Sequence, residues 1–347
     1  MSFLKGIEGD YIETKNDNLI FDVKGLLHPK DRKICFLRFY PTSQGDRVRN
    51  GKYYKKIYDL KQRYQFLKDN FPKYLFYSKE LDLELQGVRI EDIKKIYTPR
   101  ENLKRLKQNT QLSNLEKYSK DLCELFTSEG NILEDSVGIT GSSMVGLATS
   151  NSDIDLIIYG TEISLSFQEK LERIFQTSKI CRKYNSEEYK SHYKWRAGGS
   201  NVSYEEFIKS ESRKLHQGKF LGTDFFIRYI QSPKAWIGGF DDYQFKNYGR
   251  ILLKSEITDA TNSIFTPCSY KINALKILDR SQIIGNMNFN KITEINSFRG
   301  RFCEQAIKGE KVLVEGKLER VSYKDKEIYF RILLGAEVQD KMIILNH

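Results

Sequence analysis

Apolar positions recur along the chain in two rhythms, every second residue and every third to fourth, and the switches between them mark out elements. Residues 19–23 (LIFDV) and 34–39 (ICFLRF) are short β-type runs, separated by Gly25 and the cluster His28, Pro29, Lys30, Asp31. The glycine and charge cluster at 45–51 predicts an exposed loop. Beyond it, Tyr54, Ile57, Tyr58, Leu60, Tyr64, Phe66 and Leu67 fall largely at helical spacing, and Pro72 stops that helix. The stripe suits a core face with lysines on the wet side; the alternative is a surface that stacks bases and grips a nucleic-acid backbone. Residues 88–99, with Ile90, Ile93 and Ile96, read as cover for one side of a small domain. From 101 to 125 the pattern is helical, first basic, then amphipathic through Leu112, Leu115, Leu122, Leu125 and Phe126, with Gly130 as its stop.

The middle of the chain holds two strands close together. Residues 137–140 (VGIT) suit a buried strand that ends at Gly141 and Ser142, and 153–159 (DIDLIIY) is a second strand by its β-branched content. Residues 165–175 read as an amphipathic helix packed back on the sheet. A polar, charged and aromatic stretch at 179–212 follows, with His192, Tyr193, Lys194, Trp195, Arg196 and a flexible Gly198, Gly199, Ser200. It fits an insertion that contacts substrate and equally a solvated helix pair. Residues 223–230 (TDFFIRYI) form a further strand, with Asp224, Phe226, Arg228 and Ile230 on one face. From Gly249 onward β-type runs recur at 251–253, 269–272, 311–315 and 327–334, with a turn at 323–326, as in a small antiparallel barrel.

Length allows two or three domains. The net charge of +11 favours a polyanionic partner such as RNA or single-stranded DNA. Five cysteines without any C-x-x-C read as separate, mostly buried thiols, against a zinc site or disulfide framework. No early apolar run is long enough for a signal peptide or membrane span, so a cytoplasmic protein without membrane association is expected.

The strand beginning at Asp153 carries the candidate chemistry. Side chains alternate, so Asp153 and Asp155 share one face while Ile154, Leu156 and Ile158 share the other. Two carboxylates held side by side repel, and a divalent cation removes the repulsion. Hard oxygen ligands suit Mg2+, or Mn2+, which leaves positions open for water and substrate phosphates. Gly141, Ser142, Gly146, Ser152, Asp153, Ile154, Asp155 and Leu156 together resemble the signature of the DNA polymerase beta superfamily of nucleotidyltransferases.

That resemblance implies that the Gly141 amide and the Ser142 hydroxyl, with Ser152 nearby, hold a nucleotide's terminal phosphates. It implies that Asp153 and Asp155 bind two metals and that a third carboxylate arrives from a neighbouring strand. Asp224 is the candidate for it, with Asp241 and Asp242 weaker. Arg228 shares the Asp224 face and suits a phosphate contact, or else an ordinary ion pair. One departure stands out: Val145 occupies the position where relatives that extend tRNA often carry arginine, so the triphosphate grip must come from elsewhere.

The expected fold class is α+β: a polymerase-beta-like nucleotidyltransferase core at 101–245, an N-terminal α/β extension at 1–100, and a β-rich, OB-like domain at 246–347. The layout is similar to large archaeal proteins known only as predicted nucleotidyltransferases. The expected reaction moves a nucleoside monophosphate from an NTP, ATP first among them, to an RNA 3′ end. Nucleotidylation of a protein or small-molecule hydroxyl is the alternative within enzymes, and a non-catalytic nucleic-acid-binding protein the alternative outside them.

Overall fold

The computed structural model describes residues 4–197, 201–285 and 287–345; the expected flexible Gly198, Gly199 and Ser200 lie outside the described residues. The chain divides into two compact units. The first comprises Met1–Ser78, Leu83–Arg182 and Gly218–Phe240, and the second Lys79–Asp82, Lys183–Gln217 and Asp241–His347. Among the described residues no helix is long and apolar enough to cross a membrane. All five cysteines are buried free thiols.

An antiparallel sheet of eight strands opens the first unit: β1 (Tyr11–Thr14), β2 (Ile20–Val23), β3 (Arg32–Pro41), β4 (Arg47–Arg49), β5 (Lys52–Lys56), β6 (Leu75–Ser78), β7 (Leu83–Arg89) and β8 (Ile93–Tyr97). Its order is β4-β5-β3-β2-β1-β8, with β7 also on β3 and β6 on β7. Every residue of β1 and β2 is buried, so both faces of the sheet are covered there. One face gathers Ile12, Phe21, Val23, Cys35 and Leu37 under Leu67 of helix α1 (Leu60–Asn70). The other presents Tyr11, Ile20, Phe39 and Tyr54.

The helix expected to begin near Tyr54 starts later. Residues 52–56 are the strand β5, with Tyr54 the one fully buried position, and Asp59 caps α1 by accepting from the Gln62 N–H. Pairing with β4 and β3 takes Tyr53, Tyr54 and Lys56 into the sheet, so the helical spacing does not apply there. The loop expected at 45–51 is the tight β4–β5 hairpin, with Asn50 and Gly51 both at positive φ, as a two-residue hairpin turn requires.

The helical stretch after residue 100 is broken in two, α2 (Pro99–Gln108) and α3 (Asn114–Ser128), because Ser113 and Glu116 form a capping box that restarts the helix. Then come β9 (Val137–Ile139), the single turn α4 (Gly141–Met144), β10 (Ile154–Tyr159), α5 (Thr161–Thr177), β11 (Cys181–Arg182), β12 (Gln217–Phe220) and β13 (Thr223–Ile230). The second sheet runs β11-β12-β13-β10-β9, mixed, with β10 and β13 parallel and β9 and β10 antiparallel. Phe126 of α3 sits 5.1 Å from Phe167 of α5 and 6.0 Å from Phe225 of β13, ring centre to ring centre, which packs both helices on this sheet.

The second unit contains α6 (Ser186–Arg196) and α7 (Tyr204–Glu211), so the polar stretch at 179–212 is in large part a helix pair, each member opened by a capping box. It continues with β14 (Tyr243–Asp259), β15 (Cys268–Asp279), β16 (Ile292–Ser297), β17 (Lys311–Tyr323), β18 (Lys326–Leu334) and β19 (Lys341–Ile344). The order β14-β15-β16-β18-β17 closes through β17–β14 pairing, with β19 added on β17. Only β16 and β18 are parallel among these pairs. This five-stranded closed barrel is the OB-like domain expected at the C-terminus. Ile251, Leu253, Tyr270, Ile295, Val314, Leu318 and Ile332 fill it.

Candidate active site

Strand β9 delivers the chain to Thr140, whose N–H donates to the Asp155 carbonyl at 2.9 Å and whose hydroxyl donates to the Gly9 carbonyl at 2.5 Å. Gly141 then turns with φ +77, and a Cβ built on it would lie 2.2 Å from Asp155 Oδ2. Glycine is therefore required twice over, for the backbone conformation and for the carboxylate that lies against it. Gly141→Ala is expected to lower stability by about 1–3 kcal/mol and to displace the Asp155 carboxylate. Thermal melting alongside turnover checks this; an unchanged melting temperature with full turnover would contradict it.

After Gly141 the chain folds back on itself. The Leu147 N–H returns to the Ser142 carbonyl at 2.9 Å, Ser142 Oγ donates to Ser152 Oγ at 3.3 Å, and the Thr149 N–H donates to Ser152 Oγ at 2.9 Å. Ser142, Thr149 and Ser152 are thus joined just ahead of Asp153 and β10. Among the described residues Ser143 Oγ is buried beside them without a hydrogen-bond partner, an unmet polar atom at the turn.

Asp153 is exposed and Asp155 half-buried. Burial pushes the Asp155 carboxyl up to about 6; Asp153's like charge adds to this, while Arg228, Lys56 and Arg38 pull it down. The parallel register pairs Ile154 with Phe225 and Asp155 with Phe226. One step earlier, Asp224 stands level with Asp153 on the carboxylate-bearing face. Its carboxylate is exposed and accepts from Lys219 Nζ of β12 at 3.0 Å. Among the described residues no group of three or more His, Cys, Asp or Glu side chains is drawn together around a cation position. Asp241 and Asp242 lie in a short turn at 240–242.

Arg228 is committed to the N-terminal segment. Its Nη1 is 2.9 Å from Glu8 Oε1 and 3.6 Å from Asp22 Oδ1. Lys24 bridges the same two carboxylates at 2.9 Å each, and Arg38 reaches Asp22 at 3.4 Å. Against burial, which raises it, Lys24, Arg228 and Arg38 hold the Asp22 carboxyl well below the usual range.

Val145 is buried in one cluster with Met144, Leu147, Tyr11, Ile20, Phe39 and Tyr54. Fully burying such a side chain stabilises by about 1.5–3 kcal/mol. Position 145 therefore joins the turn to the N-terminal sheet, where an arginine would bury a charge among aromatic rings. The same face of that sheet brings cations with it. Arg47 donates to the Leu147 carbonyl at 2.5 Å, while Lys56 and Arg38 lie within the field of Asp155, Lys56 within that of Asp153 as well. Sequence reasoning missed these residues, since nothing local to residues 38–56 points at a motif a hundred positions away.

The nucleotidyltransferase domain family matches residues 115–194, which span α3, the Gly141–Ser142 turn and β10. An uncharacterized protein of Methanocaldococcus jannaschii is 30% identical over 336 residues, covering 94% of each chain. No solved structure matches the chain.

Proposed function

We propose, from the premise that this chain belongs to the polymerase beta superfamily of nucleotidyltransferases, that it transfers a nucleoside monophosphate from an NTP to an RNA 3′ hydroxyl. The observation that carries the reading is the placement of Asp153 and Asp155 on one face of β10, with Gly141 packed against the Asp155 carboxylate. RNA is favoured over protein and small-molecule acceptors by the net charge of +11 and by the OB-like barrel, an architecture suited to single strands. ATP is the first donor to test.

The donor set fits a hard divalent cation. Two neighbouring carboxylates, one raised by burial and by the other's charge, gain most from a cation that removes their repulsion. Asp153 and Asp155 would hold magnesium or manganese, with Asp224 as the third ligand once it leaves Lys219. Bound magnesium supplies a Lewis acid that lowers the acceptor hydroxyl's pKa and offsets charge on the departing pyrophosphate. The Gly141 N–H, Ser142 Oγ and Ser152 Oγ orient the terminal phosphates, and Ser143 Oγ is a further donor at that turn. Arg228, held by Glu8 and Asp22, acts through its charge on Asp155 rather than by touching phosphate. The acceptor oxygen bonds the α-phosphorus, the α–β bridging bond breaks, and pyrophosphate leaves.

Asp224→Asn tests the third ligand. Asn keeps the shape and loses the charge, so kcat is expected to collapse while KM for nucleotide changes little. An unchanged kcat would overturn Asp224 as the third ligand. The acceptor is tested by incubating the protein with each labelled NTP, magnesium, total RNA and lysate. Label in RNA supports the reading; label in protein or in small molecules alone replaces it.

A further inference from the structure

A nucleoside triphosphate brings several negative charges to a site whose turn offers only neutral donors. Met144, Val145 and Leu147 beyond the turn are apolar and buried. The cation that meets the triphosphate must therefore stand on another element. In the first unit the N-terminal sheet supplies candidates, and the geometry of two strands decides among them.

Leu37 of β3 pairs with Phe21 while Phe39 pairs with Ile20, which leaves Arg38 as the extra residue of a β-bulge. The bulge swings Phe39 from the α1 side of the sheet to the side that packs on Met144, Val145 and Leu147. Phe39 in turn pairs with Lys56 of β5, so Lys56 emerges on that same side. Its ammonium stands 6.0 Å from the Phe39 ring and 4.6 Å from the Tyr58 ring, within the field of both Asp153 and Asp155. The other cations nearby are engaged: Arg228 and Arg38 with Asp22, and Arg47 with the Leu147 carbonyl. Among the described residues the Lys56 ammonium makes no ion pair and no hydrogen bond. A half-buried ammonium without an anion is costly to hold, and here it faces the reaction centre.

We infer that Lys56 is the triphosphate-binding cation of this site, supplied across the fold by the N-terminal sheet, with the bulge at Arg38 as the device that aims it. The inference rests on the nucleotidyltransferase reading. A cation held by Asp153 and Asp155 would satisfy both carboxylates and leave the Lys56 ammonium to meet the β- and γ-phosphate oxygens. The N-terminal sheet is on this account a part of the catalytic machinery, and the buried Val145 contact serves to seat it.

The test uses the full chain and three variants at one position: Lys56→Gln, Lys56→Met, which keeps the apolar stem against Phe39 and Tyr58, and Lys56→Arg, each compared with wild type by thermal melting. The probes are α,β-methylene-ATP with magnesium, AMP, manganese alone and a short oligoadenylate RNA. Lys56→Gln and Lys56→Met are expected to lose about ten- to a hundredfold in affinity for the triphosphate analogue, with AMP and RNA binding unchanged. Lys56→Arg retains most of the affinity. Manganese alone binds no more weakly to the neutral variants, since a repelling charge has gone. Wild-type affinity for the analogue in a folded Lys56→Gln or Lys56→Met protein overturns this inference and leaves the transfer reading intact. Loss of RNA binding with the analogue unaffected also overturns it, placing the lysine on the acceptor backbone. A wild-type protein that binds neither the analogue nor manganese overturns both.

Discussion

Asp155→Asn is expected to cut nucleotidyl transfer by on the order of a thousandfold or more, the loss of several kcal/mol of transition-state stabilisation. The fold should survive. Asp155 ionises in a half-buried position beside Asp153, and its folded pKa of about 6 lies above the usual carboxylate value. A carboxyl with a raised folded pKa favours the native state while protonated, and that contribution is lost as pH rises from the unfolded value through about 6. In the presence of a chelator, wild type should therefore lose stability across that window, and Asp155→Asn should lose less. At neutral pH the variant is expected to melt at or above the wild-type temperature while being inactive. Thermal scans from pH 4 to pH 8 beside a turnover assay check both halves. An inactive variant that is also grossly unfolded would leave the role of the carboxylate to packing and contradict this account.

Arg228→Met carries the largest expected effect on stability. Its guanidinium bonds Glu8 at 2.9 Å and lies 3.6 Å from Asp22, and both carboxylates are buried. Removing one partner of such a network leaves charge uncompensated in the interior, at a cost of about 3–5 kcal/mol. Lys24 and Arg38 remain to share the two acids, which puts the expected value at the lower end of that range. Adding Glu8→Gln to Arg228→Met should recover part of the loss, because the orphaned charge goes with it. Urea denaturation of the two single variants and the double variant measures this. A loss below about 1 kcal/mol, with a raised KM for nucleotide, would mean that Arg228 serves phosphate directly and that its ion pairs are incidental.

The central motif was legible because its signals are local. A β-branched run fixes β10, period two puts Asp153 and Asp155 together, and a glycine beside a serine marks the turn. The return hairpin of β17 and β18 was equally readable from alternation and a polar turn, where Lys324 and Asp325 both adopt positive φ. Asp224 was readable as to face, since the β10–β13 register puts it level with Asp153, while its bond to Lys219 depends on a hairpin partner that no pattern announces.

What stayed hidden depends on pairings distant in sequence. Lys56 sits in a stretch whose apolar spacing reads as helix, and only its pairing with β3 decides for the strand. The bulge at Arg38 follows from the register of β2 on β3. Arg228 offered a phosphate contact with an ordinary ion pair as the alternative, and its partners Glu8 and Asp22 lie over two hundred residues earlier. Barrel closure likewise rests on β14 meeting β17, whose alternating residues would suit several partners. The substitution of Val145 for arginine was visible at once, but its meaning was not: the valine belongs to an interface with a sheet whose existence the motif does not imply.

The most direct measurement follows the two ends of the triphosphate separately. Wild-type protein is incubated with magnesium, RNA and ATP labelled at the α-phosphorus in one reaction and at the γ-phosphorus in another. The expected result is α-label covalently attached to the RNA 3′ end, γ-label released as pyrophosphate, and neither outcome with Asp153→Asn or Asp155→Asn. Transfer of the γ-label to an acceptor, or α-label transfer that persists in both variants, would contradict it.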